Sequence, residues 1–175
     1  MSMPRNDTLR TLLIVVAVVV CLLAVRRVVV PLTKEPLLPA GSPFPPVAVG
    51  GWINGPGPKT LGGDVTVVDV WAYWCAPCRQ LMPELLATYE KFQGRDVRFI
   101  GLTKEETDEV EKTQAALRDA QIPWPNGYGA GATIDALRVH EIPTLFVVGR
   151  DGRIVWNSGS AGSLDEAIES ALDKG

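Results

Sequence analysis

Only one histidine and three cysteines occur in the 175 residues. A closed structural zinc site wants four Cys or His ligands. Cys21 lies in an apolar stretch far upstream of Cys75 and Cys78, so zinc would need carboxylates or a second chain to complete its shell. Three thiols are also too few for a cysteine-stapled scaffold, and a disulfide here is expected to work rather than to brace. Positive charge is not in excess either: 17 Lys and Arg stand against 20 Asp and Glu. Residues 44–175 alone carry 12 basic and 18 acidic side chains, a balance without the basic patch that nucleic-acid binding needs. Internal repeats are absent. What remains is an ordinary globular composition, 46% hydrophobic and 21% charged, enough for about one domain and an additional segment.

That segment comes first. Residues 12–25 read LLIVVAVVVCLLAV, between Arg5 and Arg10 on one side and Arg26 and Arg27 on the other. Fourteen helical residues cover about 21 Å, short of the ~30 Å hydrocarbon layer. Val28, Val29 and Val30 resume the apolar pattern, and arginine side chains can snorkel to the interface. Residues 1–30 are therefore read as an uncleaved, single-pass signal anchor. A cleavable signal peptide is the competing reading, but no small-x-small site follows the run directly. No lipobox-like pattern precedes Cys21. Arginines flank both sides, so loop charge gives no orientation. Residues 31–46 carry Pro31, Pro36, Pro39, Pro43, Pro45 and Pro46 and read as a semi-extended tether. Residues 47–175 are the domain.

From Val65 onward the elements alternate. Val65–Trp71 reads as a buried strand and Pro77–Phe92 as a helix. Val97–Leu102 is a second strand and Glu105–Ala120 a charged amphipathic helix. Pro123, Pro125 and the Gly127–Gly131 cluster break the chain, and a short helix follows over Ala132–Val139. Thr144–Val148 and Ile154–Trp156 flank Arg150-Asp151-Gly152-Arg153, a hairpin signal. Ser163 and Glu166 form a capping box for a closing helix over Leu164–Leu172. A short strand near Trp52 is also expected. The order implies an α/β fold whose mixed sheet starts parallel and ends in an antiparallel hairpin.

The chemistry concentrates at Trp74-Cys75-Ala76-Pro77-Cys78-Arg79. Two thiols two residues apart, after a strand and at a helix start, suit disulfide exchange. Unpaired N–H groups at a helix N-terminus favour a thiolate over a thiol. The second thiol lies within reach to close a ring. Metal ligation and coincidence are the other readings of a bare CxxC.

The whole resembles the thioredoxin superfamily. DVWAYWCAPCR at 69–79 looks like its active-site segment, Pro83 stands where the family kinks its helix, and LRVHEIPT at 137–144 resembles the stretch carrying its cis proline. The leader, the tether, the extended 103–128 insertion and FVVGRDG at 146–152 look most like the TlpA/ResA branch of tethered bacterial oxidoreductases. The match covers about residues 44–175. It implies a thioredoxin fold, with Cys75 as the exposed nucleophile and Cys78 as the buried resolving thiol. Asp69 becomes a buried proton acceptor for Cys78 through water, and Pro143 a cis proline presenting the backbone of Ile142 to an extended peptide. Trp74, Ala76 and Pro77 complete the partner-facing surface. The family pairs its Asp with a lysine on the next strand, a position that counts to Gly101 here. Glu141 replaces a usual glycine beside the disulfide, facing either the thiols or solvent. The lone His140 reads as a surface or packing residue.

The resemblance thus implies a membrane-tethered, extracytoplasmic (periplasmic-side) thiol–disulfide oxidoreductase that reduces protein disulfides. An upstream membrane or soluble electron donor would recharge it. Neither metal nor cofactor is implied beyond the Cys75–Cys78 pair, and no nucleic acid. Apocytochrome c thiols and copper-site proteins are the partner classes it suggests, although Ala76 stands where the ResA type has a Glu between its cysteines. Two rivals use the same fold: a copper metallochaperone, which favours CxxxC with a distant His, and a binding module in which the cysteines form only a clip. A peroxidase reading fails because Ala72 stands where a peroxiredoxin has Thr.

Overall fold

The computed structural model describes residues 5–29 and 35–174. It divides into two compact units, parted between Glu35 and Pro36. The first is a single helix, α1 (Arg5–Val29), whose described side chains from Arg10 to Ala24 are all exposed. Among the described residues, no helix is long and apolar enough to cross a membrane. Met1–Pro4 and Val30–Lys34 lie outside the described residues, so the ends of the expected anchor and the start of the expected tether do too.

The second unit is built on six strands in the order β1-β4-β3-β2-β5-β6. These are β1 (Gly51–Ile53), β2 (Val65–Val70), β3 (Val97–Leu102), β4 (Asn126–Tyr128), β5 (Thr144–Val148) and β6 (Ile154–Asn157). Pairing of β2 with β3 and of β3 with β4 is parallel; the other three pairings are antiparallel. Every residue of β2 is buried, because the strand is central and covered on both faces. Its alternate side chains divide between two cores. Val65, Val67 and Trp71 pack with Met82, Leu85 and Phe92 of α2 (Ala76–Phe92), Leu117 of α3 (Val110–Asp119) and Ile168 of α5 (Leu164–Asp173). Val68 and Val70 pack on the other face with Phe146, Leu137 and Ile134 of α4 (Gly131–Ala136). Asp69 falls between Val67 and Trp71 in this alternation and therefore shares the α2 face.

The α/β class and the thioredoxin-type mixed sheet match the reading from sequence, with local differences. The β5–β6 hairpin turns where expected, with Gly152 at φ 75° closing the turn through its N–H to the Gly149 carbonyl. Ser163 and Glu166 make both bonds of the capping box at α5. Strand β4 has no counterpart in the sequence reading, where Pro125 and the glycines looked like a break. It is only three residues long, and its parallel pairing with β3 supplies the regularity that its composition lacks. The helix expected over Glu105–Ala120 begins only at Val110, after a 3₁₀ turn over Thr107–Glu109.

The proline-rich stretch also differs. From Pro36 it belongs to the second unit rather than standing off as a tether. Gly41 N–H donates to the Ile154 carbonyl, Ile154 N–H to Ser42, and Phe44 N–H to Gly152, so the strap covers the start of the β6 edge. Phe44 meets Phe146 edge-on at 6.3 Å between ring centroids. Covering an edge strand removes a row of unpaired backbone groups that would otherwise invite a second chain.

Candidate active site

Strand β2 ends at Val70, and the chain crosses Trp71-Ala72-Tyr73-Trp74 before entering α2 at Cys75. Cys75 is the N-cap, with extended backbone, and its sulfur accepts a 3.2 Å hydrogen bond from the Cys78 N–H. A sulfur in that place does the job usually done by a Ser or Asp oxygen at a helix start. Pro77 lies in the first turn, where its missing N–H costs nothing. Cys75 and Cys78 are joined in a disulfide, with Cα atoms 5.3 Å apart.

Cys75 is buried, whereas the sequence reading expects it to be the exposed thiol. In this oxidised form it is 5% exposed and Cys78 2%. The Cys75 sulfur is turned inward, bonded to Cys78 and 3.9 Å from the Ile142 carbonyl oxygen, and both cysteines pack into the α2-side core. What the motif offers to solvent is Trp74, Ala76, Pro77 and Arg79. The Ile142–Pro143 bond is cis. Pro143 therefore stands where the sequence placed it, next to a carbonyl that faces the disulfide. His140 and Glu141 are exposed on the approach to it.

Asp69 is 5% exposed, and its Oδ1 has no hydrogen-bond partner. Burial alone pushes its pKa up from 3.8 to about 7. Its neighbour in register on β3 is Gly101, and beyond that lies Asn126 on β4. A Cβ at Gly101 would meet the Asn126 carboxamide oxygen within bonding distance. The same oxygen accepts a 2.9 Å bond from the Trp71 indole, while the Asn126 amide donates to the Trp124 carbonyl. The space a lysine would enter is thus filled by a neutral, internally satisfied Trp–Asn pair. Asp69 itself is accommodated by holding its proton, since burial raises its pKa.

Four further residues, Tyr73, Glu105, Glu109 and Lys112, join the site without having been singled out from the sequence. Trp74 donates its indole N–H to Glu105 at 2.8 Å, and Glu105 is only 7% exposed. Tyr73 donates its hydroxyl to Glu109 at 2.7 Å, with Lys112 over the Tyr73 ring at 5.4 Å. The sequence cue was an acid three residues past a buried strand, masked by the helical pattern that follows. A cleft of about 200 Å³ opens beside Trp74, floored by Val70, Ile134, Val139 and Ile142.

A disulfide capping a helix at the end of a central strand, facing a cis-proline loop, defines a dithiol/disulfide module. A thioredoxin-like family profile matches residues 62–154. The thiol-disulfide oxidoreductase ResA of Bacillus thuringiensis subsp. konkukian is 30% identical over 97 residues, 55% of this chain and 56% of ResA. Protein FixW of Rhizobium leguminosarum is 29% identical over 147 residues, covering 76% of this chain and 66% of FixW. The chain spans about half to two thirds of the length of these curated relatives. Among solved structures, the thioredoxin-like superfamily protein SPOA0173 superposes with a TM-score of 0.66 at 21% identity, over 75% of this chain and 97% of that one. A thiol-disulfide isomerase from Corynebacterium glutamicum gives 0.59 at 22% identity, over 79% and 94%. At such identities the structural likeness is one of fold. The chain belongs to the thioredoxin-like family, and within it is similar to ResA and FixW.

The raised pKa of Asp69 makes a stability prediction. Between about pH 4 and 7 the folded protein holds a proton on Asp69 that the unfolded chain has lost, so stability falls as pH rises through this window and is flat above it. The whole effect is of order 4 kcal/mol for a shift of this size. Urea titrations of the oxidised protein at pH 5 and pH 8 should show that slope, and Asp69→Asn should flatten it. An equal slope in the two proteins would contradict a buried, protonated Asp69.

Proposed function

We propose that this protein is a thiol–disulfide oxidoreductase that reduces protein disulfides. The observation that carries the reading is the Cys75–Cys78 disulfide seated at the N-terminus of α2, its Cys75 sulfur against the Ile142 carbonyl. In the dithiol form, the helix N-terminus and the Cys78 N–H stabilise a Cys75 thiolate. That thiolate attacks one sulfur of a partner disulfide. A Cys75–partner bond forms, the partner's S–S bond breaks, and its other sulfur leaves as a thiolate that takes up a proton. Cys78 then gives its proton to Asp69 through water and attacks the Cys75 sulfur. The mixed disulfide breaks, the second partner sulfur leaves, and Cys75–Cys78 is restored. Two electrons have passed to the partner. A dithiol donor must supply two electrons to begin the next cycle.

Asp69 suits the proton step because a group with a pKa of about 7 can both take and return a proton near neutrality. Trp74, Ala76, Pro77 and Ile142 form the surface that a partner would meet. Reduction rather than oxidation is supported by the Ala-Pro dipeptide between the cysteines, which resembles the reducing members. Partners among apocytochrome c thiols or copper-site proteins follow from the ResA likeness, weakened by Ala76. Wild-type protein with a dithiol donor should reduce insulin disulfides. Cys75→Ser should abolish turnover, and Cys78→Ser should accumulate a mixed disulfide through Cys75. Failure of the wild type to turn over would leave the cysteines as a structural clip.

We further propose that the apolar N-terminal segment, residues 1–30, which extends beyond the described side chains of α1, anchors the domain on the extracytoplasmic face of a membrane. The support is the apolar run at 12–25 with its exposed Leu12, Leu13, Ile14, Leu22 and Leu23, together with the ResA likeness. Full-length protein should stay in the membrane fraction through alkaline carbonate washing, while a chain starting at Glu35 should not. Release of both would refute the anchor.

A further inference from the structure

The segment between β3 and α3 is shaped by the redox loop rather than by its own helical preference. Acidic residues at a helix start normally turn their carboxylates onto the free N–H groups. Here neither Glu106 nor Glu109, the caps of the 3₁₀ turn and of α3, makes a side-chain capping bond. Glu109 reaches Tyr73 instead, and Glu105 is folded inward to Trp74. Two successive residues before Cys75 are therefore tied to one segment by two carboxylates.

The Glu105 bond is the more unusual of the two. Its carboxylate is buried, and Oε2 has no hydrogen-bond partner, while Oε1 accepts from an indole whose own side chain is 63% exposed. Burying a carboxylate is costly, and the cost raises its pKa. A surface tryptophan does not need such a partner for stability, since water would satisfy its N–H. Trp74 is also the one large hydrophobic residue exposed among the described residues of the second unit. The bond fixes a side chain that would otherwise swing freely. Trp74 and Glu105 both line the cleft, whose floor ends at Ile142 beside the disulfide.

We infer that Glu105 is a positioning residue: it holds the Trp74 indole upright as one wall of the cleft, and so governs recognition of polypeptide disulfides more than the exchange chemistry at Cys75. The inference rests on the oxidoreductase reading above. A preset aromatic wall lowers the ordering cost of binding an extended chain. A small disulfide reaches the sulfur without using that wall.

The test compares insulin with bis(2-hydroxyethyl) disulfide as substrates for wild type, Glu105→Ala, Trp74→Phe, the double variant and Glu105→Gln. Trp74→Phe keeps an aromatic ring on the surface, though a smaller one, and removes the N–H donor, so it carries the test should Glu105→Ala fold poorly. For insulin, Glu105→Ala and Trp74→Phe should each lose about tenfold in kcat/KM, the scale of one charge-assisted hydrogen bond, chiefly through KM. Losses on the small disulfide should be several-fold smaller. The double variant should be no worse than either single one, because both remove the same bond. Glu105→Gln keeps an acceptor and should recover most of the insulin activity. Equal losses on both substrates, multiplying losses in the double variant, or no insulin defect would each overturn the inference in an active protein. A wild type inactive on both substrates would remove the oxidoreductase reading and this inference together.

Discussion

The placement of one sulfur at the mouth of one helix organises this molecule. Cys75 has to stand as the N-cap of α2, close enough to accept from the Cys78 N–H and near the Ile142 carbonyl. That demands a rigid strand delivering the chain to the spot, which β2 provides by being buried on both faces. It also demands a rigid helix leaving it, which α2 provides through Met82, Leu85 and Phe92 in the core. The facing loop comes from the start of β5, registered against β2 through the Val70–Thr144 pair. Three elements, two strands of the central sheet and its first helix, thus converge on the disulfide.

On β2 lies a buried acid whose neighbour in register on β3 is Gly101 and not a cation. Removing a lysine from such a pair would normally leave a charge stranded at considerable cost. Here Asn126 and Trp71 fill the position and bond each other and the Trp124 carbonyl, while burial keeps Asp69 from ionising at its ordinary pKa. Asp69 is consequently most stable with its proton on, and it changes charge in the range where thiols exchange protons. Gly101 is essential to this arrangement because no side chain fits between Asp69 and Asn126. One strand position therefore links the packing of the sheet to the acid–base properties of the site.

Much of this was legible in the sequence. Continuous β-formers before Cys75 specify a doubly covered strand, and Ser163 with Glu166 specify a helix start, because both signals act locally. The pairing of Asp69 with Gly101 could be counted because parallel register follows from two strands of equal length. Other features were hidden because they depend on distant partners. Glu105 and Glu109 fit a helical charge pattern, and only the presence of Tyr73 and Trp74 pulls them away from it. Asn-Gly-Tyr at 126–128 has little strand character until β3 lies alongside. The strap over 36–46 looked like a spacer because proline content reports stiffness and not contact. Cys75 looked exposed because the helix-start argument concerns the charge on its sulfur, whereas its accessibility depends on the Ile142 loop.

The central claim is that Cys75, through its position at the helix N-terminus, is the reactive sulfur of the pair. Alkylation of the reduced protein across a pH series, followed at each cysteine by mass spectrometry, tests it directly. Cys75 should react well before Cys78, with an apparent pKa below the roughly 8.5 of a free thiol. Equal, slow labelling of both cysteines, or faster labelling of Cys78, would contradict the account.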